Sequence, residues 1–224
     1  MNEILFFLSA LLAYLGVSFV GKYFGKSGLF AWIAIATILA NIAVTKQVTM
    51  FGMDVTLGNI MFSSVFLATD ILTEVYGVKE AKKSVFIGLT AAIIFVIFGI
   101  VVNTINPCDY DIAGEPLKTI LSFSARTTLA SVGCFFLANL CDVYLFNKIR
   151  NRSKKNLWLR NNVCTIACNC IENFLFIFIA MYGVFNAEMC FSIALYSCVM
   201  EIIAGLLDTP FVYLGRKWVK AFKE

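Results

Sequence analysis

Residues 66–83 read FLATDILTEVYGVKEAKK. The run opens as apolar chain and closes on Lys79, Lys82 and Lys83. Asp70 and Glu74 stand four residues apart within it. That is one helical turn, so both carboxylates point to the same side. Two acids on one face of so apolar a helix raise the question of what surrounds it.

The rest of the chain supplies the setting. Of its 224 residues 60% are hydrophobic and 14% charged, with a mean hydropathy of +0.85. Soluble domains carry roughly 25% charged and 45–50% apolar residues. The expected fold class is therefore all-α: a polytopic transmembrane helical bundle in a prokaryotic inner or plasma membrane, with the lipid bilayer as its first partner. No polar stretch is long enough to hide a soluble domain. Met1–Val20 lacks a basic start and a small-residue cleavage pattern, so it is read as a retained span.

The chain has no histidine. That removes Ser-His-Asp and Cys-His catalysis, histidine proton relays and most transition-metal sites. Seven of the eight cysteines lie in or beside apolar segments and read as small packing residues. Cys168-Asn-Cys170 lacks the paired spacing of a zinc site. No catalytic residue, metal or cofactor is expected, and nucleic acid is not expected as a partner. Gly21-Lys22-Tyr23-Phe24-Gly25-Lys26-Ser27 mimics a phosphate-binding loop, but it is one residue short and follows no strand. It reads as a basic turn between two spans.

A spanning helix needs about 20 mostly apolar residues. Seven stretches qualify: 4–21, 28–46, 59–77, 84–104, 127–147, 162–183 and 189–213. The last is expected to tilt or bend near Pro210. Lys and Arg crowd every second connection: 21–28, 78–83, 148–160 and the tail after 214. Connections 47–58 and 184–188 have none. Positive loops stay cytoplasmic. Seven spans with the N-terminus outside and the C-terminus in the cytoplasm satisfy every loop. Region 115–126 reads as a short interfacial helix on the outer face.

A charge at membrane depth costs at least roughly 2.5 kcal/mol and persists when it faces a bundle interior or a wet cavity. Polar residues recur here at helical spacing: Thr37, Asn41 and Thr45; Ser63, Asp70 and Glu74; Ser131, Asn139 and Asp142; Asn162, Thr165, Asn169, Glu172 and Asn173; then Glu201 and Asp208. Asn41, Ser63, Ser131, Thr165 and Asn139 suit bonds between helices. An acid needs more, namely a proton, water or a cationic partner. The candidate ligand-binding set is Asn41, Asp70, Glu74, Asn139, Asp142, Asn169, Glu172, Asn173 and Glu201. Acceptors and carboxamides flanked by Phe66, Tyr144, Trp158 and Phe174 suit the N–H edge and the face of a small purine-like base. An amine would also suit; a phosphate would not.

Four blocks in order carry a resemblance. FLATDILTEVYG (66–77), LANLCDVYLFNKIR (137–150), LWLRNNVCTIACNCIENFLFIFIAMYG (157–183) and LLDTPFVYL (206–214) resemble the queuosine precursor transporter family, also called the vitamin uptake transporter family, over roughly residues 30–214. The resemblance implies a carrier that imports 7-deazaguanine bases (queuine, or cyano- and aminomethyl-substituted precursors) for tRNA modification. It also implies a six-span core, 28–214, to which 1–27 adds a helix and basic turn and 215–224 a basic cytoplasmic tail. Two positions depart from the family pattern. Glu172-Asn173 stands where an aspartate and a small hydroxyl residue are usual, and Glu201 where a lysine is frequent. Acid in place of a cation would shift preference towards an aminated precursor. Asp70 would then read the base or carry a coupling proton, with Glu74 one turn nearer the exit.

Other readings remain. A substrate-binding subunit served by a separate ATPase module also binds vitamins within six spans; Ala34, Ala36 and Ala40 are only a weak docking stripe for it. An intramembrane enzyme using Asp70 and Asp142 as an acid pair is a third reading, but no Gly-x-Gly-Asp-like element accompanies either. A second copy of the chain is a further candidate partner.

Overall fold

The computed structural model describes residues 2–108, 110–121, 125–152, 157–183 and 186–223, with some side chains within those ranges left out, those of Ser131, Trp158 and Thr165 among them. In chain order the elements are α1 (Asn2–Ala43), β1 (Gln47–Met50), β2 (Met53–Thr56), α2 (Gly58–Val75), α3 (Val78–Thr104), α4 (Gly114–Leu121), α5 (Ala125–Arg152), α6 (Leu157–Met181) and α7 (Ala187–Lys223).

Helix α1 is two arms. Gly25 breaks it with φ 57° and ψ −139°, a conformation open only to a residue without Cβ. A Cβ added at Gly16 would lie 2.5 Å from the Trp32 ring. On one straight helix those residues would be about 24 Å apart. The chain doubles back at Gly25, and the arms 2–24 and 26–43 lie side by side.

The molecule is apolar outside. Ile4, Leu8, Leu12 and Phe19 on α1 and Ile94, Phe98 and Ile100 on α3 are exposed, as a bilayer-facing surface requires. Five described helices, α1, α3, α5, α6 and α7, are long and apolar enough to cross a membrane. The fold is an all-α membrane bundle. Its centre is α2, in which every residue from Ser63 to Glu74 is buried. A helix buried all round has no solvent face on which to place Asp70. It packs against α1, α3, α5 and α7.

Helices run further than the hydropathy limits. The basic stretch 78–83 is the first turn and a half of α3 and not a loop, and residues 215–223 continue α7 and are not a free tail. Val219 is buried there, and Lys22 Nζ lies 4.7 Å from the Trp218 ring centre. Charged residues end a hydropathy window without ending a helix. Pro210 sits within α7, which continues through it.

The connection 47–58 holds the departure from an all-helical chain. β1 and β2 pair antiparallel, Gln47 opposite Thr56 and Met50 opposite Met53. The two-residue turn Phe51-Gly52 has φ 51° and 75°, the sense that matches strand twist in a hairpin. Phe51 N donates to Glu3 Oε1 at 3.5 Å and Asn2 Nδ2 to Thr49 O at 3.4 Å, seating the hairpin over the start of α1. Of the expected interfacial region 115–126, α4 covers Gly114–Leu121; residues 122–124 lie outside the described residues.

At the opposite, basic end, Lys26 Nζ lies 3.0 Å from Glu80 Oε2, and Lys83 Nζ 2.9 Å from Glu80 Oε1. The Lys83 and Lys26 ammonium groups hold the Glu80 carboxyl below its ordinary range.

Candidate functional site

Helix α2 packs on α5 and α7, α5 on α6, and α6 on α7. These contacts close a ring of four helices, with α2 and α6 across it from each other. The polar residues lie along the axis of that ring. On α2, Ser63 to Glu74 spans 11 residues, about 16 Å.

The middle of the axis is acidic. Asp70 on α2 and Asp142 on α5 are both fully buried, and their carboxyl groups face each other within hydrogen-bonding reach. Cys168 of α6 lies within electrostatic reach of both, and of Glu172 one turn further on. Asn169 follows Cys168 and is 3% exposed.

Towards the hairpin end, Glu172 lies within electrostatic reach of Glu201 on α7. Asn173 faces Glu201 outside ideal hydrogen-bonding geometry. Asn169 Oδ1, Asn173 Nδ2 and Glu201 Oε2 are buried atoms with no hydrogen-bond partner among the described residues. An unmet buried donor or acceptor costs about 1–3 kcal/mol. Three of them lie on the two neighbouring helices α6 and α7.

Towards the basic end two polar contacts join these helices. Asn162 Nδ2 donates to Thr209 Oγ1 at 2.7 Å, joining α6 to α7. Glu74 Oε1 lies 3.4 Å from Arg216 Nε, joining α2 to α7.

Eight of the nine residues singled out in the sequence therefore lie on helices of the ring. Asn139 is buried on α5, one turn before Asp142. Asn41 is the exception: its Nδ2 donates 2.8 Å to Thr37 O on its own helix. Thr37 and Thr45 likewise bond backbone carbonyls of α1. That stripe serves its own helix in this conformation. Among the flanking aromatics with described side chains only Phe66 is buried in the core. Tyr144 is 60% exposed, with Lys148 Nζ 5.8 Å from its ring centre, and Phe174 packs on Phe191. Trp158 falls outside the described side chains.

Two participants escaped the sequence reading. Tyr14 is fully buried on the first arm of α1, and its hydroxyl donates to Ser63 Oγ at 2.9 Å. It lies within electrostatic reach of Asp208 and Glu201. The signal was a lone phenol amid an apolar span whose other hydroxyls are Ser9 and Ser18. The other is Arg216, assigned to a solvated tail and found beside Glu74. The first arm thus packs Tyr14 against α2 beside these polar residues.

A family model described as "Putative vitamin uptake transporter" matches residues 56–215. A protein of Bacillus subtilis named "Probable queuosine precursor transporter" is 35% identical over 97% of this chain and 96% of its own length. The "Queuosine precursor transporter" of Escherichia coli is 25% identical over 79% of this chain and 80% of its own. No solved structure matches the chain. A site of buried carboxyls and carboxamides within a lipid-facing bundle is what a carrier of small molecules requires. The chain belongs to the vitamin uptake transporter family, that of the queuosine precursor transporters, and is a transporter that crosses the cell membrane several times.

Proposed function

We propose that this carrier imports queuosine precursors, 7-deazaguanine bases, and that the base binds on the axis of the α2–α5–α6–α7 ring. The observation that carries the reading is the set of unmet polar atoms on α6 and α7, Asn169 Oδ1, Asn173 Nδ2 and Glu201 Oε2, above the Asp70–Asp142 pair. A deazaguanine edge carries both N–H donors and a carbonyl acceptor. Asp70, Asn139, Asp142, Asn169, Glu172, Asn173 and Glu201 face or flank the base, Tyr14 closes the wall, and Glu74 with Arg216 stands at the exit. Asn41 takes a packing role. The names of the relatives support the substrate class.

The finer topology is part of the same proposal. The two arms of α1, with α2, α3, α5, α6 and α7, make seven spans, the hairpin end outside and the basic end in the cytoplasm. Residues 28–214 are the common core and 1–27 an added helix that contributes Tyr14.

The test is uptake of a labelled precursor by the purified chain alone in liposomes. Saturable uptake is expected. Uptake that appears only with an added ATPase module would make the chain a binding subunit. Absence of uptake and binding for every deazaguanine would overturn the reading.

A further inference from the structure

The contact between Asp70 and Asp142 asks for a proton. A hydrogen bond between two carboxyl groups forms only when one of them is the acid that donates. Among the described residues neither oxygen of Asp142 takes a bond from an N–H or a hydroxyl, and Asp70 is the group in reach. Two bare carboxylates in contact and out of water would repel and lose their hydration together.

Other titratable and charged groups surround the pair. Cys141 on α5 and Cys168 and Glu172 on α6 are within electrostatic reach of one another or of the pair. From α7 come Glu201, within electrostatic reach of Glu172, Asp208, close to Tyr14 of α1, and Arg216, which lies against Glu74 one turn below Asp70. From α3 there are Glu80 and Lys83, tied to each other at the basic end. A second observation points the same way. Asn169 Oδ1, on a side chain 3% exposed, has no hydrogen-bond partner among the described residues. It stands next to Cys168 and calls for a donor, which a ligand N–H supplies.

We propose that the Asp70–Asp142 pair, at the α2–α5 contact, is the proton-binding site that couples precursor import to the proton gradient. The step is a simple protonation: the singly charged pair takes one proton from the hairpin side and becomes two neutral acids. It returns that proton at the basic side after the substrate leaves. The inference rests on the proposed transport function and adds the coupling to it.

The experiment uses the full chain in liposomes, with a labelled precursor outside and a pH dye inside. One proton per neutral substrate makes an inward gradient of about one pH unit worth roughly tenfold accumulation. Wild type is expected to accumulate precursor by about that factor, to acidify the lumen as it does so, and to lose both with a protonophore. Accumulation that ignores gradient and protonophore, while precursor still exchanges across the membrane, would overturn the coupling and leave the transport reading standing. No uptake or exchange at any pH would overturn both. The residue assignment has its own readout, independent of transport. An infrared carboxylic-acid band that follows the pH of the medium is expected in wild type and should vanish in Asp142→Asn. A band unchanged in that variant would remove the pair from the role.

Discussion

Arg216 Nε lies 3.4 Å from Glu74 Oε1, so the last turn of α2 is held to α7 across the basic end of the ring. Glu74 is buried, while Arg216 keeps about a third of its side chain exposed. Removing the guanidinium strands a buried carboxylate. A fully buried pair broken this way loses about 3–5 kcal/mol, and the exposure of Arg216 reduces that to about 1–2 kcal/mol. Arg216→Ala should lower the melting temperature in detergent, and Glu74→Gln in the same chain should restore part of it. Equal melting of single and double variants would show the contact to be idle.

Asp70→Asn and Glu172→Gln each remove one acid from the axis while keeping its shape. Both should lose precursor uptake by at least about tenfold, the worth of one charged hydrogen bond of about 1.5–3 kcal/mol, and both should elute as folded protein in size-exclusion chromatography. Normal uptake by both would displace the site from the ring.

The break at Gly25 needs a residue without Cβ. Gly25→Ala should destabilise the hairpin of arms by about 1–3 kcal/mol, read as a lower melting temperature and a smaller folded yield. Unchanged stability would mean that α1 does not double back there.

Glu80 holds Lys26 and Lys83 together at the basic end, and both ammoniums press its carboxyl below the ordinary 4.5. Its stabilising effect is present above 4.5 and disappears as the pH falls through the lowered value. Glu80→Gln should therefore melt earlier than wild type at neutral pH, and the difference should close in acid. A gap that widened in acid would contradict the ion triad.

Cys108 is exposed in the connection between α3 and α4, while the exposed Cys141 lies mid-helix on a lipid-facing side of α5. With the hairpin end outside, a membrane-impermeant thiol reagent should label intact cells at Cys108 and lose that signal in Cys108→Ser. Labelling only after lysis would invert the topology.

Much of this architecture is legible in the sequence. The helices and most of the polar axis follow from hydropathy and from acids at helical spacing, because bilayer depth penalises every other arrangement. Contacts between helices were not legible. Periodicity puts Asp70 and Asp142 on faces of their own helices but cannot say that the faces meet. Arg216 looked solvated because its neighbours Lys217 and Lys220 are basic, yet α7 continues and turns it towards Glu74. The strands escaped because four-residue runs such as QVTM give too short an alternation to stand out from a polar loop. At Asn41 the spacing with Thr37 and Thr45 suits bonds to its own backbone as readily as a ligand-facing stripe.

Import of queuosine precursors is tested most directly by the queuosine content of tRNA. The host should lack both synthesis of the base and its own importer, and should receive each precursor at low concentration. Modified tRNA that appears only when this chain is expressed is the predicted result, and the precursor that works names the substrate. Unmodified tRNA with every precursor, from a chain shown to reach the membrane, would contradict the account.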